Sequence, residues 1–182
     1  LDEYKFNERI QFTDQLENIS IYRIGTQTHG ITVDNNGSIW VVSATGAVFK
    51  YSKKRKGWRA EVIVETDETR LAKSMGVVSE DTVWLSFNDG SIDIYQDESE
   101  PIRTVTPNIS NECENFTQFL KLKNGNILCG CKTGLLAQVK FDDIAKVNPQ
   151  SFEIISKAAK SPLMKLVESN DQLVWGISIN EG

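Results

Sequence analysis

Short apolar runs broken by Gly, Asn and Asp recur along this chain, and within them residues alternate, as Ile92 and Ile94 do against Ser91 and Asp93. A period of two belongs to a strand with one buried face, whereas a helix would space its apolar residues three and four apart. Three stretches keep one pattern: GSIWVVSATGAVFKYS from Gly37, DTVWLSFNDGSIDIYQ from Asp81 and GNILCGCKTGLLAQVK from Gly125, each 44 residues after the last. Their register holds without a gap. Gly46, Gly90 and Gly134 coincide, as do Trp40, Trp84 and Leu128, then Gly37, Asp81 and Gly125, then Tyr51, Tyr95 and Val139. Each copy predicts a strand, a tight turn ending in Gly, and a second strand.

A further apolar segment precedes each hairpin, GITVDNNG from Gly30, GVVSED from Gly76 and FLKLKNGN from Phe119, and its polar end predicts a turn because Asn, Asp and Gly tolerate positive φ. A fourth segment follows each: AEVIVE from Ala60, PIRTV from Pro101 and FEIIS from Phe152. Four short strands per 44-residue unit match a propeller blade, whose repeat runs to roughly 40–45 residues, and the alternation contradicts the helical ankyrin and tetratricopeptide repeats. The expected fold class is all-β, a β-propeller of four-stranded antiparallel blades.

On these residues the chain resembles the degenerate WD40-like β-propeller family. Tyr51-Ser52 and Tyr95-Gln96 stand where that family places Trp-Asp, and Thr45-Gly46 and Asp89-Gly90 match its Asp-Gly turn. The Gly-His pair is absent, since the only histidine is His29, followed by Gly30. The resemblance therefore implies the fold without the buried Asp, His, Ser/Thr and Trp network of well-formed repeats, leaving hydrophobic packing to carry more of each blade. Trp40 and Trp84 at the second strand are similar to propellers attached to Rho exchange factors and Roco-type kinases, and to those of bacterial sensor proteins.

Ranges follow from the register: residues 1–30 as the end of a preceding blade, 31–65, 74–105 and 118–156 as blades, and 163–182 as the start of another. Ile19 to Ile24 reads as a fourth strand, with Tyr4, Phe6, Ile10 and Phe12 alternating before it, and Val174-Trp175 echoes Ile39-Trp40. Because propellers close with 4–8 blades, the expectation is an open segment of about three and a half blades belonging to a seven-bladed ring within a larger protein. The specific alternative is a homodimer in which two such arcs complete the ring.

Composition fits a folded domain, with 40% hydrophobic residues and four prolines, and no run of 18 apolar residues predicts a membrane span. The first residues, LDEYKFNERI, lack the basic and apolar regions of a signal peptide. Cys113, Cys129 and Cys131 are odd in number and without framework spacing, which argues against a disulfide-built secreted module and points to an intracellular, cytoplasmic location, and Cys129 and Cys131, two apart on one strand face, read as packed thiols. Four Asn-x-Ser/Thr sequons, at Asn18, Asn36, Asn108 and Asn115, point the other way, although chance alone accounts for one or two among thirteen asparagines.

Chemistry-bearing constellations are sparse. A Ser-His-Asp or Cys-His arrangement would have to use His29, and zinc would need two ligands beyond Cys129 and Cys131. Asp34 to Gly37, DNNG, suits a hairpin turn better than a calcium loop. Neither a catalytic nor a metal site is predicted, no cofactor is called for, and the protein is read as a non-enzyme.

The stretch that stands out is KKRKGWR, in which Lys53, Lys54, Arg55, Lys56 and Arg59 surround Trp58 between the third and fourth strands of the first blade. Functionally it reads as a partner-binding patch for an acidic peptide or protein, a phosphoinositide headgroup or a nucleic-acid phosphate; more plainly it is a solvated turn offset by its acidic counterpart, QDESEP from Gln96. A net charge of −5 argues against general nucleic-acid binding. The opposite rim carries the longer connections, TDETRLAKS and TPNISNECENFT, and an insertion from Phe141 predicts a helical turn whose Phe141 and Ile144 cap the blade. The whole reads as a non-catalytic protein-interaction scaffold within a signalling or regulatory protein, the alternative being a ligand-sensing propeller domain of a receptor or signalling enzyme.

Overall fold

The computed structural model describes residues 28–179 except 56, 66, 80–81, 97–99 and 141–145. The segments called from Tyr4 to Ile24, and the cap at Phe141 and Ile144, lie outside the described residues. Three four-stranded antiparallel sheets follow one another, each laid down in sequence order. The first holds β1 (Thr28–Val33), β2 (Ile39–Ser43), β3 (Val48–Lys54) and β4 (Gly57–Val64). The second holds β5 (Ala72–Val77), β6 (Thr82–Phe87), β7 (Ile92–Gln96) and β8 (Arg103–Val105). The third holds β9 (Phe116–Lys121), β10 (Ile127–Cys131), β11 (Leu135–Val139) and β12 (Phe152–Lys157). A two-stranded sheet of β13 (Leu163–Glu168) and β14 (Val174–Ser178) comes last. Among the described residues the strands predicted from alternation are present with shifted bounds: β5 starts four residues before the expected Gly76, β9 three before Phe119, and β4 three before Ala60, where Lys53 and Lys54 pair onward with Trp58 and Gly57.

The first strands, β1, β5, β9 and β13, lie side by side in succession, so the blades fan outward from a common inner edge. Side-chain and backbone bonds tie that edge together. Ser74 Oγ and Ser86 Oγ both donate to the Phe116 carbonyl at 2.8 and 3.0 Å, Thr117 donates to the Leu163 carbonyl, and Gln118 Nε2 donates to the Leu166 carbonyl at 3.3 Å. Between the sheets sit two apolar cores. Trp40, Val42 and Val48 of the first sheet meet Ala72, Val83, Leu85, Phe87 and Tyr95 of the second. Trp84, Ile92 and Ile94 meet Phe116, Phe119, Ile127, Val139 and Phe152 of the third.

The repeated glycine does two jobs at once. Gly46, Gly90 and Gly134 each have φ of +80°, where an L side chain is strained, and each donates its N–H back to Ser43, Phe87 or Cys131 to close the turn. Each turn also abuts the segment entering the next blade, whose groups donate to the glycine carbonyls: Ala72 N to Gly46, Ser110 Oγ to Gly90, and the N–H groups of Ala158 and Ala159 to Gly134. A Cβ on Gly134 would stand 2.2 Å from the Ala159 carbonyl oxygen, whereas Gly125, also at positive φ (+90°), has open space around it. Gly125→Ala is expected to cost about 1–2 kcal/mol of strain and Gly134→Ala about 1–3 kcal/mol more. Urea denaturation of the two variants measures the difference; equal losses would dissolve the glycine's role between blades.

Polar ties act beside the packing that is expected to carry more of each blade. Asp34, 5% exposed, accepts from the Ser38 N–H at 2.8 Å and from Trp40 Nε1 at 2.9 Å, so both carboxylate oxygens are engaged in the β1–β2 turn. That arrangement accounts for DNNG as a turn whose acidic residue pins the core tryptophan. In the second sheet Arg70 forks onto Asp93, with Nη1 and Nη2 at 2.9 and 2.7 Å from its two oxygens, and Thr104 Oγ1 donates to the same carboxylate at 2.6 Å.

Candidate interaction surface

Antiparallel order puts the β1–β2 and β3–β4 turns on one rim, and the β2–β3 turns with the blade-to-blade connections on the other. The β3–β4 hairpin is the longest two-stranded projection of the first sheet, pairing from Val48 with Val64 out to Lys54 with Gly57. Its strand alternation separates the basic run. Lys54 and Arg59, the latter opposite Ser52, fall on one side, Lys53 falls on the other, and Arg55 sits at the tip. All four are exposed and so present positive charge in several directions. Lys56 lies outside the described residues, and the backbone of Trp58 pairs with Lys53. Nearer the core, Lys50 is 8% exposed and holds its ammonium 4.9 Å from the centre of the Trp40 ring, a cation–π contact that keeps it out of the exposed set. Of the acidic counterpart, Gln96 and Glu100 are exposed and residues 97–99 lie outside the described residues.

The connection rim is held by charge and by a covalent bond. Arg70, in the connection leading to β5, lies with its guanidinium carbon 3.6 Å from the centre of the Phe87 ring and makes a further ion pair with Asp89 at 3.4 Å. Hydrogen bonding to Asp93 is the main influence raising its pKa, so the side chain stays charged. The next connection carries a one-turn helix, α1 (Ser110–Cys113), folded back on the β10–β11 turn. There Thr133 Oγ1 donates to the Glu112 carbonyl at 2.9 Å, Lys132 pairs with Glu114 at 3.0 Å, and Cys113 is disulfide-bonded to Cys131 with Cα atoms 4.8 Å apart. The expectation of packed thiols at both Cys129 and Cys131 is thus corrected for Cys131. Cys131 ends β10 at the place where the connection returns, and this brings it to a cysteine 18 residues earlier. Only Cys129 is a thiol, fully buried, and burial pushes its pKa up, so it is held protonated and unreactive.

Sequence reasoning missed the pairing of Arg70 with Asp93 and, although it placed Asp34 in a turn, the bond from Trp40 to Asp34. A buried Asp inside an apolar strand, as in IDIY, was the available signal, since such a group demands a partner. His29 is exposed at the start of β1, and among the described residues no group of three His, Cys, Asp or Glu side chains is placed to hold a metal. No helix among them is long and apolar enough to cross a membrane.

No family model matches the chain, and no curated protein sequence does. Solved structures do. The WD40 β-propeller domain of Doa1 superposes with a TM-score of 0.59 at 13% identity, over 83% of this chain and 47% of that one. A chain of the mitotic checkpoint complex gives 0.59 at 14% identity, over 80% and 43%. The fold is a partial WD40-like β-propeller. A third propeller, YCF48 bound to D1 peptide, matches with a TM-score of 0.59 at 15% identity, over 78% of this chain and 45% of that one. The chain spans less than half the length of each of these structures.

Proposed function

We propose that this propeller segment is a non-catalytic protein-interaction scaffold, and that the β3–β4 hairpin of its first blade receives an acidic peptide or an acidic face of a partner protein. The observation that carries this is the exposure of Lys53, Lys54, Arg55 and Arg59 together on a hairpin anchored at its base by buried Val48 and Tyr51. Strand pairing holds the backbone that carries these cations in place before binding, and their charge raises the encounter rate with anionic partners. The peptide held by YCF48 supports peptide binding as a use of this fold. Intracellular placement rested in part on the absence of a disulfide framework; the Cys113–Cys131 bond weakens that support, because disulfides persist chiefly in oxidising compartments.

The test is fluorescence anisotropy with a labelled peptide of alternating Glu, Asp and Gly, compared with its Lys-substituted counterpart. The protein is expected to bind the acidic probe alone, more weakly as salt rises, and the combined substitution of Lys53, Lys54, Arg55 and Lys56 to Glu should weaken binding at least ~10-fold, or about 1.4 kcal/mol. Unchanged affinity in that variant, with circular dichroism showing an intact fold, overturns the site.

A further inference from the structure

Among the four Asn-x-Ser/Thr sequons, the fold treats the three that lie in the described residues differently. Asn36 sits in the turn between β1 and β2 and is exposed, as are Asn35 and Gly37 on either side. The space beside it is open, because a Cβ on Gly37 would meet nothing within 4 Å. Asn108 is likewise exposed, in a turn between β8 and α1 that is held in place by its own N–H, which donates to the Pro149 carbonyl at 3.1 Å. Asn115 is half-buried just before β9, with its amide oxygen shut off from solvent, and it precedes Phe116, a core residue 1% exposed. Thr117, the hydroxyl residue of that sequon, donates to the Leu163 carbonyl across the seam to the next sheet. An independent observation concerns compartment: Cys113 is bonded to Cys131, and disulfides form and persist chiefly where the surroundings are oxidising.

We propose that this chain matures in an oxidising secretory compartment and carries Asn-linked oligosaccharides at Asn36 and Asn108 but not at Asn115. A modified sequon has to end on a surface loop, since the added group is bulky and hydrated. The donor is a lipid-linked oligosaccharide diphosphate. The asparagine Nδ2 forms a bond to the anomeric carbon of the sugar, the bond from that carbon to the diphosphate oxygen breaks, the lipid diphosphate leaves, and Nδ2 loses one proton; no oxidant or reductant is needed. Folding then engages the sequon hydroxyls. Ser38 is 6% exposed and accepts from Ser52 Oγ at 3.3 Å, and Ser110 Oγ donates to the Pro107 and Gly90 carbonyls at 2.7 and 3.0 Å. Transfer therefore precedes the closing of these turns. The sugars at Asn36 and Asn108 then stand in solvent, whereas a sugar on Asn115 would have to displace the packing around Phe116.

Native protein, isolated with an antibody raised against the 182-residue chain, tests this by mass spectrometry of its glycopeptides before and after peptide N-glycosidase. Expected are hexose and N-acetylhexosamine masses on Asn36 and on Asn108, removed by the enzyme with conversion of each asparagine to aspartate, and an unmodified Asn115. Digestion without reductant should recover Cys113 linked to Cys131. Asn36→Gln and Asn108→Gln, expressed behind a secretion leader, should each abolish one enzyme-sensitive shift in electrophoretic mobility, and Asn115→Gln should leave mobility as it is. An unmodified Asn36 or Asn108 in the native protein, a glycan on Asn115, or free thiols at Cys113 and Cys131 would each overturn the proposal. Failure of the basic hairpin to bind an acidic peptide would leave it standing, and the reverse holds as well, because the two rest on different residues.

Discussion

Trp84→Ala is expected to lower the unfolding free energy by about 3–5 kcal/mol, the range for deleting a buried tryptophan. The side chain is 0% exposed and lies edge-on to Phe119, with ring centres 5.6 Å apart, and 6.0 Å from Phe152. Its removal opens a cavity at the seam between the second and third blades, where rigid strands on both sides cannot collapse inward. Trp84→Phe keeps an aromatic face toward Phe119 and should recover a substantial part of the loss. Urea denaturation monitored by far-ultraviolet circular dichroism gives both values. A loss below about 1 kcal/mol for the alanine variant would mean that this seam does not hold the blades together.

Arg70→Ala should cost about 3 kcal/mol, for a different reason. Asp93 is 2% exposed and takes two hydrogen bonds from Arg70, so truncating the arginine leaves a buried carboxylate with Thr104 as its remaining side-chain donor. The guanidinium is a third exposed, which places the effect at the lower end of the range for buried pairs. Replacing both partners, as Arg70→Met with Asp93→Leu, should restore most of the stability, because no buried charge is then left uncompensated. If Arg70→Ala alone proves neutral in the same denaturation experiment, Asp93 has another source of compensation and the pair is ornamental to the blade.

These two sites differ in how far they could be read from the chain. Trp84 was visible as a register position, since alternation and the 44-residue period put it level with Trp40 on a buried face. Arg70 was hidden in the polar run TDETRLAKS, which composition marks as a surface loop. Its partner is 23 residues away, and only the return of the second sheet's hairpin brings the two together. The pairing of Cys113 with Cys131 was missed for the same reason: an odd cysteine count says nothing about which two meet. The basic run was found at once by its charge, but a row of letters conceals that Lys53 points away from Lys54 and Arg59.

Strand alternation, the turn glycines and the unbroken 44-residue register determined by themselves that this chain forms successive four-stranded antiparallel sheets, because those features act between residues near in sequence. Even the glycine at 46, 90 and 134 was predictable as a turn residue from its neighbours. Its second task, admitting the backbone of the next blade, belongs to the tertiary structure. So does the contrast between Trp40, buried, and Trp175, exposed, at one register position: identical local patterns acquire different solvent exposure according to what packs beside them. Burial, charge pairing and disulfide partnership are relations between distant segments, and the fan of blades decided them.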